Sequence, residues 1–509
     1  MAVADYRDHT SYHLEIMTIV NNEGEAFDVR QLFIQCFINE SIYDNFLSGE
    51  VVIADSIGLL EKVKFSGQES IRIRFHQPAK NPNDTIHEDD VIDKVFRIYR
   101  VNDLKRTHEH SQVFNLMFAS PELLDSKRIR ISQSFKGEVL SLAAKIAEDH
   151  LGIANEIKDT NLEPFFEWRA PASEEHHVTI PNWTVQQTIN WLCSKAQANS
   201  YNSSPLDSYF FYQTANGNFR INSLRDMFNT WYLGEADLEK GVFVYTDYGN
   251  EAPQAVGDEY AHYDSQSPDK LGSGRRILDY HMSSTSNVLD ATILGLLGSK
   301  LYTINNTGKY FQEKTYDYLE RFYGDDKNPP GLENQPFIRT SDETIYIGAK
   351  QGDPNTDTTT DGVYNTYKPL NRYADAYHLL LNQSEFVNDD RGVVKSINGN
   401  AHFGGQQMRQ AVGALMKFHT IQCLISTRTD ISSGQMINLK IPKAEANQLE
   451  YDDGTQFHDG AHLITNVQWA FNQAICNTNI SCFKNNVRNN LETTTASYSG
   501  PDTQGFGAL

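Results

Sequence analysis

A polar stretch in the second half of the chain carries the acidic spacing of a calcium loop. Its four oxygen-bearing side chains are Asp353, Asn355, Asp357 and Asp361. An EF-hand loop needs glycine at its sixth position for a sharp turn and a bidentate glutamate at its twelfth. Thr358 and Tyr364 occupy those positions. We therefore interpret the stretch as a solvated loop and predict no calcium site there.

Histidines are the next candidates for metal binding. His458 and His462 lie four residues apart beside Asp459. They straddle Gly460 at the start of a predicted strand, where a spacing of four does not direct two side chains to one ion. The closely spaced histidines elsewhere are interpreted as surface residues: His176, His177, His108 and His110, the last two flanking Glu109. The sequence predicts no metal ligand.

Adjacent carboxylates could in principle support glycoside cleavage, which needs a general acid and a second carboxylate. The runs are 88–90, 325–326, 389–390 and 452–453. All lie in polar, turn-like segments, and exposed carboxyl groups keep ordinary acidity and make poor general acids. The segment 272–275 (GSGR) is a lone GxG, and the sequence has neither a phosphate-binding P-loop motif nor a GxSxG nucleophile motif. We predict no catalytic residue, no cofactor site and no enzyme activity.

The charge of the chain disfavours nucleic acid as a specific partner. The formal net charge is −22, and a phosphate backbone is repelled by such a surface. The densest basic cluster, 127–130 (KRIR), is short and lies next to a predicted helix. We interpret it as a solvated surface.

Cysteine usage predicts reduced, buried thiols. The five cysteines are Cys36, Cys193, Cys423, Cys476 and Cys482. An odd number scattered over a long chain is not a disulfide framework, and the last two lack CxxC spacing. Segment 1–13 is polar and does not resemble a signal peptide. The longest apolar stretch, near 293–297, is far shorter than the roughly 18 residues of a membrane span, so we expect a soluble protein without a membrane partner.

The first 120 residues read as β structure. Residues 32–38 are apolar on both faces, which predicts a strand packed on two sides, and 71–75 alternate in the pattern of a half-buried strand. Segments 95–101 and 114–118 continue that pattern. We predict short helical turns at 41–47 and 55–63. Strands at this spacing indicate a barrel or a sandwich.

A small α/β domain is predicted next. Apolar residues at helical spacing in 134–151 are followed by Gly152 as a C-terminal cap, and Thr184 is placed to cap a second helix. Segments 209–212 and 219–221, separated by Ala-Asn-Gly, predict a hairpin.

Strands resume in the second half. We predict a hairpin at 301–304 and 310–311, a polar insertion between 329 and 372, a helix at 404–416, and strands at 419–427, 436–441, 461–471 and 477–483. The pair 95–102 and 114–118 resembles the pair 463–472 and 479–483, which indicates either duplicated β domains or chance similarity of two hairpins.

Six segments resemble the central baseplate hub proteins of contractile-tailed bacteriophages. They are 41–56 (SIYDNFLSGEVVIADS), 67–71 (GQESI), 132–152, the segment from 181 through 210–227, 434–442 (GQMINLKIP) and 460–467 (GAHLITNV). They cover most of the chain outside 230–400. The amino-terminal part of type VI secretion spike proteins is similar to the same family.

The resemblance implies an α+β, β-rich fold. It has two tail-tube-like β-barrels, an intervening small α/β domain and an insertion. The implied division is 1–120 for barrel 1, 121–230 for the α/β domain, 231–300 with 403–485 for barrel 2, 301–402 for the insertion, and 486–509 for a flexible tail or partner-binding arm.

The resemblance also implies a structural virion protein. Such hubs are homotrimers that join the hexameric tail tube to the trimeric central spike and line the DNA channel of the baseplate. The implied partners are the tail tube protein and the central spike protein, with wedge or other inner baseplate proteins and the tape measure protein as further candidates. An acidic lumen suits a channel through which DNA passes without binding. The expected location is the virion tail, assembled in the bacterial cytoplasm.

Three other functions stay open at this point. A tail-associated glycosidase, similar to lysozyme, would use one of the carboxylate runs. A peripheral baseplate adaptor would share the structural role without the trimer. A carbohydrate-binding receptor protein would place aromatic side chains in exposed loops, whereas most of those here alternate within predicted strands.

Overall fold

The fold is described from a computed structural model. The described residues are 12–77, 91–108, 111–153, 176–196, 208–215, 219–224, 227, 242–245, 276–284, 289, 293–296, 298–305, 310–317, 345–347, 365–367, 376–382, 386–388, 394–396, 400–441 and 460–484.

Strands dominate these residues. In the first half they are β1 (His13–Val20), β2 (Ala26–Asp28), β3 (Phe33–Ser41), β4 (Ser48–Asp55), β5 (Ser70–His76), β6 (Val91–His108), β7 (Ser111–Ala119), β8 (Arg130–Gly137), β9 (His176–Thr184), β10 (Tyr209–Gln213), β11 (Phe219–Ser223) and β12 (Val242–Tyr245). In the second half they are β13 (Arg276–Ser284), β14 (Gly298–Asn305), β15 (Tyr310–Asp317), β16 (Ile345–Ile347), β17 (Asn365–Tyr367), β18 (Ala376–Asn382), β19 (Phe386–Asn388), β20 (Val394–Ser396), β21 (Thr420–Ile425), β22 (Met436–Lys440), β23 (Gly460–Asn472) and β24 (Cys476–Phe483).

The helices are fewer. They are α1 (Leu59–Val63), α2 (Pro121–Arg128), α3 (Val139–Leu151), α4 (Val185–Lys195) and α5 (Asn400–Phe418). No helix in the described part of the chain combines the length and the apolar character that crossing a membrane requires.

One large sheet organises both ends of the chain. Its thirteen strands follow the order β2, β1, β5, β6, β7, β4, β3, β23, β22, β12, β13, β21, β24. Most neighbours are antiparallel, while β12 runs parallel to both β13 and β22. Strand β24 pairs with β21 on one side and with β23 on the other. The β-rich fold built on antiparallel pairings is confirmed, and the two separate barrels stay a prediction.

The main hydrophobic core follows this sheet through both halves. It contains side chains that are fully buried in the first half, such as Ile53, Phe96 and Phe114, and others from the second half, such as Ile425 and Trp469. Alternation along each strand places these residues on one face. The buried residues of the two halves of the large sheet therefore form one contiguous cluster.

A second core lies beneath the α/β elements. Strands β8 and β9 pair, β10 and β11 pair, and α3 and α4 pack on them through residues such as Ile146 and Ile189. Helix α3 ends as predicted at Gly152, whose φ of 68° is accessible to glycine without strain. It begins at Val139 rather than at 134, because 134–137 belong to β8 and pair with β9. Thr184 caps α4 through a capping box with Gln187.

Two local predictions in the first sheet were wrong. Segment 41–47 is a series of bends rather than a helical turn, because its polar side chains bond to distant parts of the chain. Strand β3 is not packed on both faces, since Ile34 is 46% exposed. A register shift between Phe33 and Gln35 in the pairing with β4 brings Phe33 and Cys36 to the core side.

Other local predictions were confirmed. Hairpins form from β10 and β11 and from β14 and β15, α1 lies within the predicted 55–63 turn, and α5 contains the predicted helix. The two similar strand pairs form antiparallel hairpins, β6 with β7 and β23 with β24; their duplication stays a prediction. Segment 486–509 and most of the 329–372 insertion lie outside the described residues.

Candidate functional site

The sheet is continuous because β3 and β23 pair across the chain. The register runs from Ser41 opposite Asn466 to Gln35 opposite Asn472. The Ser41 hydroxyl donates to the Asn466 side-chain oxygen at 2.5 Å, although the two residues are 425 positions apart. The Gln468 amide donates to Asn39 Oδ1 at 2.8 Å. We use the word junction for the paired strands β3 and β23 together with the side chains that contact them.

Glu40 is the buried acid of the junction, with 1% of its surface exposed. Its Oε1 accepts hydrogen bonds from the Ser433 backbone N–H at 2.5 Å and the Ser433 hydroxyl at 2.7 Å. Its Oε2 accepts from the Ala215 N–H at 2.6 Å. Burial raises the pKa of the Glu40 carboxyl group, and the hydrogen bonds from Ala215 and Ser433 oppose that shift. The Glu40 side chain thereby links β3 to the turn before β22 and to Ala215, which lies two residues after the end of β10.

Amide side chains attach segment 41–47 to the α/β elements. Asn45 donates to the Phe211 carbonyl at 2.7 Å and accepts from the Gln186 amide at 2.8 Å. Gln213 Oε1 accepts from the Leu47 N–H at 3.1 Å and from the Ser120 hydroxyl at 2.5 Å. Buried polar groups need such partners, so these bonds fix how the α/β elements sit on the large sheet.

Two glycines allow close packing at the junction. A Cβ atom at Gly49 of β4 would lie 2.3 Å from the Phe37 carbonyl oxygen and 2.5 Å from the Phe118 ring. Gly434 has a φ of 82°, and a Cβ atom there would lie 2.3 Å from the Tyr212 hydroxyl. At both positions a side chain has no room, so glycine is required by the packing.

Strand β6 presents apolar side chains to solvent. Val95 is 50% exposed and Tyr99 is 41% exposed on the face opposite the core residues Phe96 and Ile98. Beyond Tyr99 the hairpin of β6 and β7 is largely exposed and carries Leu104, which is 56% exposed. Exposed apolar side chains grouped on one element are typical of contact surfaces.

The basic cluster 127–130 ends α2 and begins β8. Arg128 pairs with Asp125 at 2.9 Å, and Arg130 donates to the Asn182 carbonyl at 3.4 Å. These two guanidinium groups are directed to partners within the chain. Their contacts fit the interpretation of 127–130 as a surface segment.

The other sequence candidates are scattered. His462 is buried in β23 beside His419, with ring centroids 6.2 Å apart, whereas His108 is exposed at the end of β6. His176 and His177 lie in β9. Outside the described residues are His458, Asp459, Glu109, His110, the calcium-like loop 353–361, the segment 272–275 and the four carboxylate runs 88–90, 325–326, 389–390 and 452–453.

All five cysteines are buried and free, as predicted. Burial raises the pKa of Cys193, Cys423 and Cys476 to about 12. The thiolate is the reactive form of cysteine, and neither access nor ionisation favours it here.

We therefore expect none of the five thiols to react with a water-soluble disulfide reagent such as DTNB in the folded protein at pH 8. In guanidinium chloride all five should react, because unfolding removes both the burial and the pKa shift. The measurement is the absorbance of released thionitrobenzoate. Rapid labelling of one or more thiols in native protein would contradict the packing around them.

Within the described part of the chain, the structure brings together one cluster of metal-ligating side chains that the sequence did not predict. His13, Glu15 and His76 offer ligand atoms that all lie within 4.8 Å of one another. His13 and Glu15 lie on β1 and His76 lies opposite His13 on β5. Only the register of β1 against β5 brings them together, and no sequence spacing records that register.

Comparisons with known proteins found no matching family model and no matching curated protein. A comparison with solved structures gave alignments at low sequence identity. The tail protein from Neisseria meningitidis MC58 aligns with a TM-score of 0.46 and 10% identity over 93% of this chain and 97% of that one. The 43 kDa tail protein of prophage MuSo2 from Shewanella oneidensis aligns with a TM-score of 0.42 and 10% identity over 92% and 97%.

A further aligned structure is that of the E. coli c3393 protein, described as a type VI secretion component with structural similarity to T4 bacteriophage tail proteins; it aligns with a TM-score of 0.31 and 7% identity over 93% of this chain and 76% of that one.

Proposed function

We propose that the chain is a structural protein of a contractile tail baseplate. In this role it forms the homotrimeric central hub between the hexameric tail tube and the trimeric spike. It carries no catalytic function, and its work is to hold a defined shape between two assemblies of different symmetry.

The observation that carries the proposal is the position of the segments that resemble hub proteins. Segment 41–56 bonds to 460–467 through Ser41 and Asn466, and to 210–227 through Asn45 and Phe211. Segment 434–442 bonds to 460–467 through the Gly434 N–H and the Ile464 carbonyl at 2.8 Å. Segments far apart in sequence thus meet at the junction. A resemblance confined to unrelated loops would not converge in this way.

The strand pairings support the grouping of the strands in the second proposed tube-like β domain. Strands β21, β24, β23, β22, β12 and β13 each pair with the next, and β13 pairs back with β21. We propose that these six strands belong to the second tube-like domain. The proposed domains are 1–120, 121–230, 231–300 with 403–485, 301–402 and 486–509.

The surface properties suit such an assembly. The net charge of −22 would repel DNA from a lumen. The outward face of β6, with Val95 and Tyr99, offers apolar contact area for a neighbouring subunit. The proposed partners are further copies of the chain, the tail tube protein and the central spike protein, and the proposed location is the virion tail.

Light scattering after size-exclusion chromatography tests the proposal. We expect three copies of the chain, which is three times 57.8 kDa, either alone or within a heavier complex with the spike protein. Mixing with tube protein should give a larger complex. A stable monomer that ignores both tube and spike proteins would overturn the hub assignment.

A surface variant sharpens this experiment. The double substitution V95S/Y99S should reduce the trimer fraction and leave the melting temperature within a few degrees of wild type, because both side chains are exposed. A large fall in the melting temperature of the variant would show that the substitutions damage the fold rather than an interface.

A second assay tests the glycosidase alternative. If wild-type protein cleared a turbid peptidoglycan suspension, that result would favour the glycosidase.

A further inference from the structure

We propose that His13, Glu15 and His76 form a binding site for a zinc-class divalent cation. The site lies on the outer face of the large sheet, where β1 and β5 meet. This proposal is independent of the proposed hub function, since it rests on the geometry of three side chains.

The distances fit a tetrahedral ion. His76 Nε2 and Glu15 Oε1 are 3.4 Å apart. Zinc ligands lie about 2.0–2.2 Å from the metal, so two ligands at a tetrahedral angle are separated by roughly 3.4 Å. The rings of His13 and His76 have centroids 5.2 Å apart. His13 is exposed, so a rotation of its side chain can bring it within bonding distance at little cost.

The backbone explains why the three side chains share one face. His13 and His76 are direct cross-strand partners. The β1–β5 register shifts between Leu14 and Ile16, so Glu15 is the extra residue of a β-bulge. Bulges redirect side chains, and they commonly occur next to functional sites.

His76 is prepared as a ligand by its own hydrogen bond. Its Nδ1 lies 2.6 Å from the Gln77 carbonyl oxygen. A carbonyl can only accept, so Nδ1 carries the proton, and in the neutral ring the lone pair is on Nε2, directed at Glu15. Metal-binding histidines characteristically donate their second ring N–H in this way. His76 is 4% exposed, which holds the ring in place.

Glu15 is held by the outer contacts of the cluster. Its Oε2 accepts from Arg74 Nε, while Oε1 faces His76. Arg74 also bonds to Asp93 at 2.9 Å, and Asp93 bonds to Arg72, so the arginine charges are matched by carboxylates around the site. Two imidazoles and one carboxylate are a ligand set that zinc prefers, with a fourth position left for water or another ligand.

Isothermal titration of Zn²⁺ into untagged full-length protein tests the site. We expect wild-type protein to bind Zn²⁺ saturably. H13A should bind one ion fewer per chain, or bind that ion at least tenfold more weakly. E15Q should give the same result. The matched control is H108A, which removes an exposed histidine at the far end of β6 and should leave the titration unchanged.

Thermal unfolding provides a second readout that does not depend on heat signals. Zn²⁺ should raise the melting temperature of wild type and H108A, because a ligand that binds only the folded state stabilises it. H13A should lose that increase. The proposal would be overturned if H13A bound zinc as tightly as wild type, or if wild-type protein showed no saturable zinc binding. In either case the cluster would be an ion pair of His76 with Glu15.

Discussion

Replacing Glu40 with alanine is expected to lower the free energy of unfolding by about 3–5 kcal/mol. Two N–H groups and one hydroxyl, from Ala215 and Ser433, lose their acceptor in a buried place, and each unsatisfied buried donor costs about 1–3 kcal/mol. The substitution also leaves a cavity. Urea unfolding followed by tryptophan fluorescence should show an earlier midpoint, with faster amide exchange in β3 and β23.

Two further variants separate the causes of this loss. E40Q keeps the size of the side chain but turns an amide NH₂ toward a donor, so about 1–3 kcal/mol should be lost. E61A removes an exposed carboxylate from α1 and should change stability by no more than about 0.5 kcal/mol. If E40A and E61A unfolded at the same urea concentration, Glu40 would not hold the junction together.

Gly49→Ala is expected to destabilise the protein by about 3 kcal/mol or more. The new methyl group would meet the Phe37 carbonyl at 2.3 Å and the Phe118 ring at 2.5 Å. One of these obstacles is backbone in the neighbouring strand β3, so it cannot move without breaking the β3–β4 pairing. Overpacking of cores typically costs about 1–3 kcal/mol, and a backbone clash exceeds that range. Soluble yield and circular dichroism melting measure the effect.

Gly413→Ala is the matched control. It adds the same methyl group within helix α5, where nothing lies within 4 Å of the new atom. Alanine is favoured over glycine in helix interiors by about 1 kcal/mol, so the melting temperature should rise slightly. A G49A protein that melts like G413A would contradict the close contact between β4, Phe37 and Phe118.

Elements whose signals are local could be predicted from the sequence. Helix α3 was predicted because its apolar spacing and Gly152 lie within one short segment, and Thr184 caps α4 through a residue three positions away. The hairpin of β10 and β11 is equally local. In each case the residues that decide the structure are neighbours along the chain, so a pattern can reveal them.

Features that depend on distant residues could not be predicted. Segment 41–47 was predicted to be a short helical turn, but Asn45 bonds to Phe211 and Leu47 bonds to Gln213. The exposure of Ile34 follows from a bulge that only the pairing with β4 defines. The His13, Glu15 and His76 cluster depends on the β1–β5 register in the same way. A sequence pattern gives the face of a strand, and the register that sets its neighbours comes from packing.

The β3–β23 pairing can form only late in synthesis. The partner of Ser41, Asn466, is 425 residues further along the chain. At about 5–20 residues per second, a ribosome needs roughly 20–90 seconds to make that partner. Throughout this interval one edge of β3 is open to pairing with the same strand of another nascent chain. The large sheet is therefore most vulnerable to aggregation before β23 is synthesised, when β1–β7 are present and the partner of the β3 edge is not.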